Sequence, residues 1–178
     1  WQWNHNPVND HWSLTQKPGW LSLTALPSPD LKNARNTLTQ KVMGYTGEVV
    51  THLDASKMTP GQKAGLCNLS DVFYSAGVFI KDGSMFLFYD GNGQSYSETV
   101  IKKNRVYLKL DLNLLTQKNR FYYSFDNKTF LPLGNDFEAK WGNWKGTRVG
   151  LFSFSAGPAG GTALFDWFTY NYDGPKGK

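Results

Sequence analysis

Apolar and polar residues alternate with a period of two along most of this chain. In residues 20–25, Leu21, Leu23 and Ala25 oppose Ser22 and Thr24, the pattern of a strand with one buried face. Pro27, Pro29 and Asp30 break that run. Residues 37–42 set Leu38 and Val42 against Thr37, Thr39 and Lys41, and the next segment puts Val49, Thr51 and Leu53 on one face with Glu48, Val50 and His52 on the other. A turn at Thr59-Pro60-Gly61 leads to two further strands, residues 62–67 and 72–80. The second closes at Lys81-Asp82-Gly83, whose Asp-Gly pair suits a tight hairpin into residues 85–89. Asp90-Gly91-Asn92-Gly93 reads as a turn because Gly and Asn tolerate positive φ. Val106, Leu108, Leu110 and Leu112 alternating with Tyr107, Lys109 and Asp111 give the cleanest strand. Residues 121–125 then turn through Asp126-Asn127-Lys128 into 129–133, and residues 150–154 and 163–170 complete the set. About a dozen short strands, with turn signals roughly every 8 to 12 residues and almost nothing helical, predict an all-β fold: a two-sheet antiparallel β-sandwich. Nothing in residues 1–178 suggests a repeat, a linker or a second domain.

Composition agrees with this picture. With 178 residues the chain can bury about two-thirds of its unfolded surface without a disulfide or metal, and 16% aromatic residues with 18 glycines favour β-structure. The net charge of +5 is spread out, and its densest stretch, Lys102-Lys103-Asn104-Arg105, is brief and borders a strand. It reads as a solvated rim, so no nucleic-acid partner is expected. No apolar run approaches the roughly 18 residues of a membrane-spanning helix, so no membrane partner is expected either. Cys67 is the only cysteine and sits among Gly65, Leu66 and Leu69, which suggests a buried thiol. The strand-like start at Trp1 suggests a segment of something longer or a processed product.

Candidate chemistry gathers near the C-terminal end. Trp141-Gly142-Asn143-Trp144-Lys145-Gly146 runs directly into the apolar segment that begins at Thr147-Arg148-Val149, suggesting indole rings held on a loop above a sheet. Exposed indole costs about 25 cal/mol per Å² of apolar area, so these rings are either buried in a core or covered by a ligand. Nothing argues for catalysis. The three glutamates, Glu48, Glu98 and Glu138, are far apart and the aspartates fall mostly in predicted turns, whereas glycosidic hydrolysis needs two converging carboxylates. His5 and His11 lack the carboxylate or cysteine neighbours of a metal cluster and His52 is isolated. There is no G-x-S-x-G, C-x-x-C or phosphate-binding glycine loop.

Trp1-Gln2-Trp3-Asn4-His5-Asn6-Pro7, with Trp12-Ser13-Leu14 and Pro18-Gly19-Trp20-Leu21-Ser22-Leu23, resembles the start of the C-terminal β-sandwich domain of family 43 glycoside hydrolases, the β-xylosidase and α-arabinofuranosidase group. The similarity continues through residues 36–41 and 61–66 into Ala163-Leu164-Phe165-Asp166-Trp167-Phe168, essentially the whole chain. The resemblance implies a jelly-roll, concanavalin A-like sandwich without catalytic residues. It also implies classification among carbohydrate-binding modules for xylan, attached behind a catalytic propeller. Trp144, before Lys145-Gly146-Thr147-Arg148-Val149-Gly150, matches the position from which an aromatic ring of such a domain closes the propeller's active site; the usual residue there is Phe.

Pyranose rings lay their C–H faces on indole while their hydroxyls need donors and acceptors. One candidate xylan or xylo-oligosaccharide site is therefore Trp144 and Trp141 with Asn143 and Arg148. A second is the N-terminal group Trp3, Asn4, His5 and Asn6 with Trp12, although Asn4 and Asn6 would serve equally as turn residues. Trp167, on the last strand, is expected to be buried. Sandwiches of this type often hold a structural calcium through oxygen ligands near the chain ends, and Asp166 is the candidate ligand. Three roles stay open: a polysaccharide-binding accessory domain, a domain that docks on a propeller to complete its site, and a free-standing concanavalin-like glycosidase. The first favours a secreted or periplasmic location.

Overall fold

The computed structural model describes residues 1–140 and 146–174. Fourteen strands are assigned among them: β1 Gln2–Trp3, β2 Trp12–Ser13, β3 Leu21–Pro27, β4 Leu38–Lys41, β5 Thr46–Lys57, β6 Gln62–Leu69, β7 Tyr74–Lys81, β8 Ser84–Gly91, β9 Gln94–Ile101, β10 Arg105–Asn113, β11 Asn119–Ser124, β12 Leu131–Phe137, β13 Arg148–Ser155 and β14 Gly160–Tyr172. They form two sheets. Sheet I runs β4-β13-β6-β7-β8-β9 with β1 on β4; sheet II runs β12-β11-β10-β5-β14-β3 with β2 on β3. A two-residue parallel contact, Phe154 with Leu26 and Ser155 with Pro27, joins them along β13 and β3.

Strand β10 shows the alternation expected of it most clearly. In β10, Val106, Leu108, Leu110 and Leu112 are buried and the residues between them are not. These side chains meet Leu53, Leu66, Val78, Leu87, Phe121, Val149 and Leu151 in the core between the sheets. The predicted turns form where glycine and Asx chemistry places them. Asp82-Gly83 joins β7 to β8 with φ of 50° and 71°, and Asn92-Gly93 joins β8 to β9 with φ of 51° and 82°, the pair of positive angles that a type I′ hairpin requires.

Strand β13 is buried along its whole length, because sheet I has a second covered face. Leu31 and Ala34, from the segment between β3 and β4, close over Cys67, Leu69, Phe73, Phe88, Phe152 and Phe154 there. Four residues stand in register across that face: Phe152, Gly65, Gly77 and Phe88. The rings of Phe88 and Phe152, at the two ends of this row, meet edge to face with 6.5 Å between centroids. A Cβ on Gly77 would collide with the Ala64 carbonyl of the neighbouring strand.

Candidate functional site

The N-terminal segment folds back across one edge of the sandwich. Trp3 pairs with Leu38 of β4, Trp12 pairs with Leu23 of β3, and Asn36 ties the loop between them by accepting from Val8 N at 3.0 Å and donating to Val8 O at 3.3 Å. Trp3 and Trp12 thereby meet at 5.3 Å between centroids. Trp1 packs edge-on against Phe168 at 4.6 Å yet remains 58% exposed. Trp20 enters β3 after Gly19, whose φ of 80° favours glycine. One face of Trp20 carries the Lys17 ammonium, 3.3 Å from the ring centroid, a cation–π contact.

Strand β14 contributes the opposite wall through a bulge. Phe165 pairs with Leu53 and Phe168 with Thr51, so Asp166 and Trp167 together oppose the single residue His52. The extra residue sends both Asp166 and Trp167 outward while Phe165 stays in the core and Phe168 packs at its edge, where it also lines the groove, which is how a bulge re-aims a side chain. Thr51 Oγ1 donates to the Trp167 carbonyl at 2.6 Å and pins the distortion. His52 stacks on Tyr107 at 4.4 Å, and its Nδ1 lies 3.3 Å from Asp166 Oδ2.

The result is an open groove of about 670 Å³. Trp1, Trp3, Trp12, Trp20, Trp167, Phe168 and Leu14 line it with Leu21, Leu38, Leu151 and Phe165, and Asp166 is the one charged residue among its described lining. Five indoles converging on one concavity form a stacking surface for flat, weakly polar faces.

The residues expected from sequence are placed as follows. Trp3 lines the groove. Asn4 is buried: its amide donates to the Lys32 carbonyl at 3.1 Å and its Oδ1 accepts from Arg148 Nη2 at 2.7 Å. Arg148 is also buried, donates to Thr39 Oγ1 at 3.2 Å, and has its pKa lowered by desolvation. Asn4 and Arg148, read as members of separate clusters, therefore form one internal anchor between β13 and the N-terminal segment. His5 is exposed with Nε2 2.8 Å from the Lys32 carbonyl, and the Asn6 carbonyl accepts twice from Arg35. Trp141, Asn143 and Trp144 lie outside the described residues.

Trp167, expected to be buried, is only partly so and lines the groove, because the bulge turns it out. Trp1 and Trp20 carried no site expectation. Trp20 had a usable signal in the Pro18-Gly19 turn before it, whereas the bulge at Asp166-Trp167 has none in the sequence. Asp166 pairs with His52, and among the described residues no group of three or more His, Cys, Asp or Glu side chains could share a metal. Asp136 and Glu138 are spaced as D-x-E at the end of β12. Both are exposed outside the groove, and Asp136 pairs with Arg120 at 2.6 Å.

A two-sheet sandwich carrying an indole-lined groove is the architecture of a module that presents aromatic surface. The chain belongs to the β-xylosidase C-terminal concanavalin A-like domain family, whose model matches residues 1–171. A β-xylosidase of Formosa agariphila is 38% identical over a 200-residue alignment that covers 99% of this chain and 33% of the relative. Among solved structures, a bifunctional GH43-CE protein of Bacteroides eggerthii superposes with a TM-score of 0.91 at 29% identity, over 96% of this chain and 23% of that one. A GH43 glycoside hydrolase engineered to display both endo-xylanase and exo-arabinofuranosidase activity gives 0.84 at 27% identity, over 95% of this chain and 37% of that one. The chain thus spans about a third or less of the first two and little more of the third.

Proposed function

We propose that this chain is the non-catalytic C-terminal sandwich of a β-xylosidase-type family 43 glycoside hydrolase, and that its groove holds xylan or xylo-oligosaccharide against indole. The observation that carries this reading is the convergence of Trp1, Trp3, Trp12, Trp20 and Trp167 on one open concavity. A pyranose buries its C–H face on such rings, and Asp166 on the same wall can accept from a hydroxyl. Relatives described as a β-xylosidase and as an enzyme with xylanase activity make a xylose-based chain the natural ligand class.

Affinity electrophoresis through xylan tests it. The chain should be retarded, and Trp20→Ala should cost about 1–3 kcal/mol of affinity, the scale of losing an aromatic anchor. Equal mobility in the presence and absence of xylan would end this reading.

A second reading has its own support: the groove is lined almost entirely by apolar side chains, as a surface covered by another domain would be. In that case a catalytic propeller occupies the groove, and Trp141 and Trp144 contribute to a composite active site. Retention by an immobilised family 43 catalytic domain without sugar, lost in Trp20→Ala and paired with no xylan retardation, would establish this second role.

A further inference from the structure

We infer that the saccharide track extends beyond the groove across the outer face of sheet II into a second subsite, so that the ligand is an oligosaccharide chain and not a single terminal sugar; this rests on the saccharide reading above. Trp167 is a wall of two neighbouring concavities. One is the indole groove, and the other is an open depression of about 360 Å³ lined by Glu48, Lys109, Asn127, Phe130 and Thr169.

Strand register connects the two. On the outer face of sheet II the row His52–Tyr107 lies beside the Asp166-Trp167 bulge, and two residues further along the same strands comes the row Lys109–Val50–Thr169. Successive rows on one face are roughly 7 Å apart, so the second depression begins one row from the groove. Trp167, common to both, lies 6.1 Å from Tyr107 between ring centroids.

The chemistry changes along this track in the way a polysaccharide needs. The groove is lined mainly by aromatic and aliphatic side chains, while the depression supplies a cation, a carboxylate, an amide and a hydroxyl beside the rings of Phe130 and Trp167. Lys109 Nζ sits 5.4 Å from the Phe130 ring centroid and 4.6 Å from that of Tyr122, and it pairs with Glu48 at 3.4 Å and Asp111 at 3.2 Å. These contacts fix the donor in place. Thr169 and Asn127 are exposed and free to turn toward successive hydroxyls.

Calorimetric titration with xylobiose and xylohexaose, on the chain itself and on the variants Phe130→Ala, Lys109→Gln and Trp20→Ala, tests the extension. Affinity should rise about fivefold to tenfold from xylobiose to xylohexaose, the effect of one added aromatic contact. Phe130→Ala and Lys109→Gln should remove most of that gain, lowering hexaose affinity more than biose affinity, whereas Trp20→Ala should weaken both. Backbone amide shifts of the unsubstituted chain provide a readout independent of variant folding: Lys109 and Thr169 should move with xylohexaose far more than with xylobiose. Equal affinity for the two ligands, with Lys109 and Thr169 silent and Trp20→Ala still weakening binding, overturns the extension and leaves the groove standing. Failure of the unsubstituted chain to bind either ligand overturns both.

Discussion

Arg148 shows how a residue's chemistry can point one way in sequence and another in the folded chain. It follows Trp144 in the sequence and was expected to meet sugar hydroxyls, yet its guanidinium is held inside by Asn4 and Thr39. Asn4→Ala would leave Nη2 without its acceptor, and an unmet buried donor costs about 1–3 kcal/mol, more for a charged group. A lowered urea midpoint at unchanged m-value should follow, and an unaltered midpoint would show that the anchor contributes nothing. Asp54 offers a test by pH. Burial alone would push its carboxyl up, but hydrogen bonds from Ser56 and the Arg105 guanidinium, 2.9 Å away, hold it below its ordinary value of 3.8. Because the folded value is the lower one, the stabilisation is complete above that ordinary value and drains away as pH falls through the folded one. Below about pH 4, therefore, Asp54→Asn should lose less further stability on acidification than the unsubstituted chain, as read by urea denaturation at stepped pH. Site legibility had its limit at this scale: an aromatic ring is visible in sequence, but which side of a strand it leaves is decided by partners distant along the chain.

At the scale of the element, β10 was legible because one buried face forces strict alternation, and the hairpins because Asp-Gly and Asn-Gly supply positive φ. Strand β9, Gln94–Ile101, was missed. It lies at the end of sheet I, paired with β8 on one side only, and its residues are largely exposed, so it carries little apolar pattern; polar edges of this kind discourage pairing between molecules. The bulge in β14 was equally unreadable, since an inserted residue obeys register with β5 and no local preference. The glycine pair in β6 and β7 gives this scale its prediction. Gly77→Ala forces a methyl against the adjacent strand beneath Phe88 and Phe152, an overpacking that costs about 1–3 kcal/mol. Chemical denaturation should show the loss, while Gly83→Ala, with open space around its Cβ, should show only the smaller strain of a positive φ.

The whole molecule divides its surfaces between two tasks. The outer face of sheet I is covered over β13, β6 and part of β8 by its own segment between β3 and β4 and is structural there, whereas the outer face of sheet II and the adjoining edge carry the groove. The two-sheet architecture was readable from the chain, but this division was not, because residues 28–37 gave no sign of which sheet they would roof. One consequence concerns Cys67, fully enclosed under that roof, where burial raises its thiol to about 12. The folded protein should ignore maleimide and react only in denaturant. With its own sulfur silent, the chain is a ready optical instrument: a dye attached through Thr169→Cys would be its sole label, and a change of emission on adding oligosaccharide would time the arrival of each bound chain.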